Sequence, residues 1–171
     1  MRENIERLQR VKYKLYFLFI FLSLAVVSCS SDANELTCIN QLPMGLQSNA
    51  NAVLKISIPD NMNTLKLGNL LTVVVETLSH EIVYVSPDDD LKFYLRNNNS
   101  WSLIENKVDF LSVVDQIVPK TDTDPGGMAF PASFDFSENR TSIHVCITVI
   151  GSESLGGPKG VSAYKEIILV P

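Results

Sequence analysis

Two short runs of aspartates are the most plausible metal ligands in this sequence. Asp88, Asp89 and Asp90 are consecutive, and Asp122 and Asp124 alternate just before a Pro-Gly-Gly sequence. Calcium takes about six to eight oxygen ligands, which acidic loops can supply. Neither run has the EF-hand spacing, which ends in a glutamate at about the twelfth loop position. Both runs are also explained as solvated turns, so we predict no metal site and keep calcium as a weak alternative.

The chain contains two histidines, and nothing in their surroundings predicts catalysis. His80 lies in a polar stretch with turn composition, and His144 lies on the outward face of a predicted strand. The sequence has no Gly-x-Ser-x-Gly elbow and no His-Glu-x-x-His motif. The glycine-rich stretch 151–160 lacks the Gly-Lys-Ser/Thr ending of a phosphate loop and is typical of a hairpin loop, where glycine supplies positive φ. We therefore predict no enzyme activity, no catalytic residue and no cofactor.

One aromatic pair is a candidate contact surface. Trp101 is the single tryptophan, and it follows the asparagine-rich run 97–100 after the predicted strand that contains Tyr94. A lone tryptophan in a β-sandwich is commonly a plug in the core. If Trp101 is instead exposed beside Tyr94, the pair indicates a surface for a carbohydrate or a peptide. Both interpretations stay open at this point.

The N-terminus carries an address signal. A basic start is followed by an apolar run, Leu15 to Val27, and then by polar residues. This run is 13 residues long, whereas a spanning helix needs about 20 apolar residues to cross roughly 30 Å of hydrocarbon. A positive region, a short apolar region and small residues before a cleavage point are the layout of a secretory signal peptide. A permanent membrane span is therefore not predicted.

The end of this signal resembles the bacterial lipobox. Val26-Val27-Ser28-Cys29 has the order in which signal peptidase II cuts before a cysteine that already carries a diacylglycerol. The resemblance covers the first 29 residues and implies a palmitate-bearing lipoprotein anchored through Cys29. Ser30 follows that cysteine, where an aspartate would retain an enterobacterial lipoprotein at the inner membrane. We therefore expect a cell-envelope location, outside the cytoplasm, and the outer membrane where the organism has two.

Cleavage at this point changes the cysteine count and the charge. With Cys29 acylated, Cys38 and Cys146 remain, and they can form a disulfide in an oxidising compartment. The alternative is that both are reduced, buried thiols. Removal of residues 1–28 takes 5 of the 14 Lys+Arg and 2 of the 19 Asp+Glu, which leaves a net charge of −8. An acidic domain repels phosphate backbones, so nucleic acid is excluded as an expected partner.

Short apolar–polar alternation dominates the mature chain and predicts β-strands. Ile82 to Val85 and Ala163 to Val170 are two further predicted strands, while 108–118 fits a short strand or one helical turn. The alternating apolar positions are Leu54, Ile56 and Ile58; Leu71, Val73 and Val75; Leu91, Phe93 and Leu95; and Ile143, Val145, Ile147 and Val149.

Seven or eight short strands without intervening helices predict an all-β, antiparallel sandwich. The mature chain resembles immunoglobulin-like or fibronectin-type-III-like domains in architecture. We expect a signal peptide at 1–28, a lipidated cysteine and flexible tether at 29–50, and the sandwich at 51–171. A disulfide would then pin the tether to the outside of a late strand.

The expected function is that of a membrane-tethered, non-catalytic binding or structural module. Its partners would be the membrane, through the lipid anchor, and a protein or glycan. The alternative is an inhibitor or accessory subunit of an extracytoplasmic enzyme or secretion complex.

Overall fold

The computed structural model describes residues 37–59, 70–110, 114–134 and 142–170. The predicted signal peptide, the lipidation site Cys29 and residues 30–36 of the predicted tether lie outside these ranges. No helix within the described ranges has the length and apolar character that a membrane span requires.

Strands are the main regular structure of the described chain, and the helices are single turns. A 3-10 helix, Cys38–Gln41, and α1, Met44–Gln47, precede the first strand, and α2 spans Pro87–Asp90. The nine strands seen in the described ranges are β1 Leu54–Ser57, β2 Leu71–Thr77, β3 Val83–Val85, β4 Leu91–Asn97, β5 Ser100–Ile104, β6 Asp115–Ile117, β7 Met128–Ala132, β8 Ile143–Gly151 and β9 Val161–Leu169.

These strands pair antiparallel in three sheets. One sheet has the order β5-β4-β8-β9, a second has the order β1-β2-β7, and β3 pairs with β6. The prediction of an all-β antiparallel sandwich is confirmed, with nine strands in place of seven or eight. Within the ambiguous stretch 108–118, the described residues include the short strand β6 and no helix.

The core lies between the inner faces of the sheets. Val73 and Val75 of β2 and Val145 of β8 are fully buried, as their alternation predicted. The Phe93 ring of β4 meets the Phe134 ring edge-on, with centroids 4.9 Å apart. Aromatic pairs favour this geometry because the ring edge is positive and the face negative. Phe93 therefore marks the core face of β4, and its neighbours along the strand must point outward.

The segment 38–52 differs from the expected tether. Cys38 and Leu42 are buried, and the Ser162 hydroxyl of β9 donates a hydrogen bond of 2.9 Å to the Leu46 carbonyl. The sequence of this segment has no strand or helix period, which is why it reads as a linker. Its position is determined by long-range contacts with β8 and β9, which local pattern does not report.

Strand β7 was not predicted from the sequence, and it contains a proline. Pro131 lies opposite Thr72 of β2 and has no amide hydrogen to donate. Proline is confined to edge strands within sheets, and β7 is the edge of its three-stranded sheet. Pro131 is therefore compatible with a strand at this position, because β7 is an edge strand.

Candidate functional site

The candidate contact residues lie on the outer face of the four-stranded sheet. Tyr94 and Arg96 alternate with the buried Phe93, so both point away from the core. Trp101 lies directly opposite Arg96, and Leu103 lies directly opposite Tyr94. Opposed residues of an antiparallel pair share a face. We call these four residues the outer β4–β5 surface.

The hairpin turn determines which face Trp101 takes. Asn98 and Asn99 form a two-residue loop between the paired residues Asn97 and Ser100, and Asn98 has a φ of 49°. Asparagine tolerates positive φ better than most residues, which suits this position. The asparagine run thus closes a β-hairpin, and the register of this hairpin turns Trp101 outward.

Trp101 is therefore a surface residue and not a plug in the core. It is half-buried and lies outside the core cluster, whereas its neighbour Leu103 is 62 % exposed. The indole Nε1 is buried and has no hydrogen-bond acceptor among the described residues. A buried donor without an acceptor costs roughly 1–3 kcal/mol.

A polar cluster continues the surface across the sheet. Glu166 of β9 accepts from His144 Nδ1 of β8 at 2.9 Å, and its carboxylate lies 3.7 Å from Arg96 Nη1 of β4. These groups are half-exposed, so their pairing is screened by solvent and contributes little to stability. His144 lies on the outward face of its strand, as predicted, and its imidazole has a carboxylate partner.

A disulfide fastens the N-terminal segment to the same sheet. Cys38 and Cys146 are bridged, with their Cα atoms 5.6 Å apart. Cys146 lies opposite Tyr94 and therefore on the outer face. The bridge thus joins the segment to the outside of β8 and does not cross the core, as the sequence predicted. Between this segment and the sheet runs a groove whose lining includes Leu42 and Tyr94.

The three-aspartate run has a structural role at Asp90. Its side chain is 3 % exposed and accepts a hydrogen bond of 2.7 Å from the Ser86 amide. Lys159, from the loop between β8 and β9, forms an ion pair with the same carboxylate. The buried Asp90 thus connects α2 to the β8–β9 loop through Lys159, which lies 69 residues later in the chain. Sequence reasoning missed this pair because nothing local marks Lys159.

The other acidic candidates are not gathered into one site. Asp88 and Asp89 are exposed on α2, and Asp122 and Asp124 lie in the exposed loop before β7. Across residues 37–59, 70–110, 114–134 and 142–170, no three His, Cys, Asp or Glu side chains come together as a metal site would require. The Asp124 carboxylate instead accepts the Gly126 amide at 2.9 Å, which is a local turn bond.

His80 is held apart from the outer β4–β5 surface. It lies in the loop after β2, in a shallow depression lined also by Lys55, Glu76 and Asp122. His144 lies on β8 of the other large sheet, so the described structure places the two histidines on separate elements.

Comparison with known proteins adds no family to these observations. No protein-family model matches the sequence, and no curated protein matches it.

Proposed function

We propose that this chain is a membrane-tethered extracytoplasmic lipoprotein whose β-sandwich is a non-catalytic binding or structural module. Acylated Cys29 holds it at the cell envelope, and the outer β4–β5 surface contacts the partner. The observation that carries the binding role is the common outward face of Tyr94 and Trp101, next to the exposed Leu103.

The cysteine pattern supports the extracytoplasmic part of this proposal. Disulfides persist in oxidising compartments and are rare in the cytosol. The bridge between Cys38 and Cys146 accounts for two of the three cysteines. Acylation gives the third, Cys29, a role that fits its place at the end of the apolar run.

The chemistry of the surface favours a glycan or a peptide. Tryptophan and tyrosine are enriched at interfaces because each combines a large apolar ring with a polar group. Arg96 and Glu166 add one cation and one anion beside the rings. This mixture suits a neutral sugar or an uncharged peptide segment, and it offers no basic patch to a nucleic acid.

A retention experiment tests the contact surface. The full chain is immobilised and exposed to envelope glycans and to envelope proteins, in parallel with Trp101→Ala and Leu155→Ala. Leu155 is 69 % exposed in the β8–β9 loop, so its variant controls for the loss of any exposed apolar group. We expect retention by the parent and by Leu155→Ala, and loss of it with Trp101→Ala.

Two outcomes would change this proposal. Equal retention by all three proteins contradicts a role for the outer β4–β5 surface. Retention of one stoichiometric enzyme, with a change in that enzyme's activity, would support the inhibitor or accessory-subunit alternative instead.

A further inference from the structure

Two sheet edges in this domain are capped by asparagine residues. On β9, the Asn51 backbone amide donates to the Ser162 carbonyl at 2.9 Å, and the Asn51 side-chain oxygen accepts the Tyr164 backbone amide at 3.0 Å. On β7, the Asn106 side-chain amide donates to the Pro131 carbonyl at 3.2 Å. Covering an edge in this way prevents it from pairing with another chain.

Strand β5 has none of these protections among the described residues. It is the edge of the four-stranded sheet, and β4 is its one described strand partner. Its sequence, Ser-Trp-Ser-Leu-Ile, contains no charge and no proline. Charged residues, proline and bulges are the usual means by which edge strands avoid association. Within the described residues, the outer edge of β5 is therefore open to strand pairing.

The register determines which backbone groups point out of this edge. Asn97 and Ser100 close a two-residue hairpin, so they form a hydrogen-bonded pair, and hydrogen-bonded pairs then alternate along the strands. Ser100, Ser102 and Ile104 direct their amide and carbonyl groups toward β4. Trp101 and Leu103 direct theirs outward.

We propose that a second copy of this chain pairs with β5 in an antiparallel register centred on Ser102. In that register Trp101 lies opposite Leu103 of the partner, and Leu103 lies opposite Trp101 of the partner. Both positions have outward amides and carbonyls, so the pairing forms four backbone hydrogen bonds. The same two contacts repeat about a two-fold axis, which is the self-complementarity that a symmetric dimer requires.

The side chains agree with this register. Trp101 and Leu103 lie on the same face, so each indole packs on a leucine across the new interface. On the outer face, side chains that lie opposite one another then form a row across the four strands β4, β5, β5 and β4. The row consists of Tyr94 and Leu103 of one protomer, followed by Trp101 and Arg96 of its partner. Aromatic–aliphatic pairs of this kind stabilise antiparallel strands. The result is one continuous eight-stranded sheet that doubles the outer β4–β5 surface.

Disulfide trapping in the full chain tests the register. Ser102 faces Ser102 of the partner as a non-hydrogen-bonded pair, for which the Cα separation is about 4.5 Å and falls within disulfide range. Ser102→Cys should therefore yield a covalent dimer when the protein is purified without reductant. Ser100→Cys is the matched control. It is also exposed on β5, but in this register it lies roughly 13 Å from its counterpart, beyond disulfide reach.

A second variant tests the backbone bonds. Leu103→Pro, added to Ser102→Cys, removes the outward amide of residue 103 and leaves the bonds from Ser102 and Ile104 to β4 in place. Edge strands tolerate proline. We expect this double variant to lose the trapped dimer while keeping the circular dichroism spectrum of the parent. The unsubstituted chain is the background control, because it shows how much covalent dimer forms through a disulfide between two Cys29 residues.

Two results would overturn the pairing. One is the absence of a dimer with Ser102→Cys, as expected if the edge takes an extended peptide from another protein. The other is equal trapping with Ser100→Cys. Disulfide formation at position 102 depends only on the distance between two copies of β5, so its outcome is independent of the lipid anchor and of any ligand.

Discussion

Trp101 lies directly across the β4–β5 hairpin from Arg96, and this pairing turns the indole to the outside of the sheet. On the opposite, core-facing side of β4 lies Phe93, which is 2 % exposed. The two aromatic residues therefore serve different ends. Phe93 packs in the core of the sandwich, and Trp101 lies on the outer face of the sheet.

Truncation of each ring should separate these roles. We expect Phe93→Ala to lower the free energy of unfolding by about 3–5 kcal/mol, because it leaves a cavity in the core. Trp101→Ala should lower it by less, roughly 1 kcal/mol, since that side chain is only partly buried and lies outside the core cluster. Urea unfolding of both variants measures the difference. An equal loss in the two would place Trp101 in the core and contradict its assignment to the surface.

The Cys38–Cys146 bridge should be a major source of stability. It closes a loop over a sequence separation of 108 residues. Removal of a native disulfide from a small secreted domain costs about 2–5 kcal/mol. We expect the double variant Cys38→Ser/Cys146→Ser to show this loss in urea unfolding under non-reducing conditions. Titration of the parent should find neither thiol free, and two reactive thiols at these positions would refute the bridge.

Gly151 is required by a close approach between strands. A Cβ atom at this position would lie 2.6 Å from Cγ1 of Val83, which is fully buried. We expect Gly151→Ala to lower stability by roughly 1–3 kcal/mol through overpacking. Gly160→Ala is the matched control, because no atom lies within 4 Å of its added Cβ. Thermal melting should distinguish them, and equal melting temperatures would show that the Val83–Gly151 contact is not tight.

Lys159 should matter more than an ordinary surface lysine. Its partner Asp90 is buried, so Lys159→Met would leave a carboxylate without its cation. We expect a loss of roughly 1–3 kcal/mol, below the range for fully buried pairs because Lys159 is itself partly exposed. Lys55→Met removes the exposed pair with Glu76 and should cost less than about 1 kcal/mol. Chemical unfolding compares the two, and an equal loss would show that Asp90 does not depend on Lys159.

Much of the fold could be predicted because a strand leaves a local signal, the alternation of apolar and polar residues. The alternation in Leu71, Val73 and Val75 matches a buried face of β2, and the asparagine run marks a hairpin. The face that Trp101 takes could not be predicted, because it depends on the length of the loop. The structure shows a two-residue loop, which places Trp101 opposite Arg96.

Long-range contacts were the part that could not be predicted. Residues 38–52 have no period, yet contacts with β8 and β9 hold Cys38 and Leu42 in buried positions. Asp90 and Lys159 likewise meet only because α2 and the β8–β9 loop fold against each other. Pair contacts over such separations leave no mark on the residues between them. The sequence named Tyr94 and Trp101 as a candidate pair, but it did not predict the buried segment or the ion pair between Asp90 and Lys159.

The lipid anchor is the central claim, and mass spectrometry of the mature N-terminus tests it most directly. We predict that residues 1–28 are absent and that Cys29 is the first residue and carries a diacylglycerol. A Cys29→Ala variant should accumulate as uncut precursor. An unmodified Cys29 that still follows Ser28 in the mature protein, or normal processing of the variant, would contradict the account.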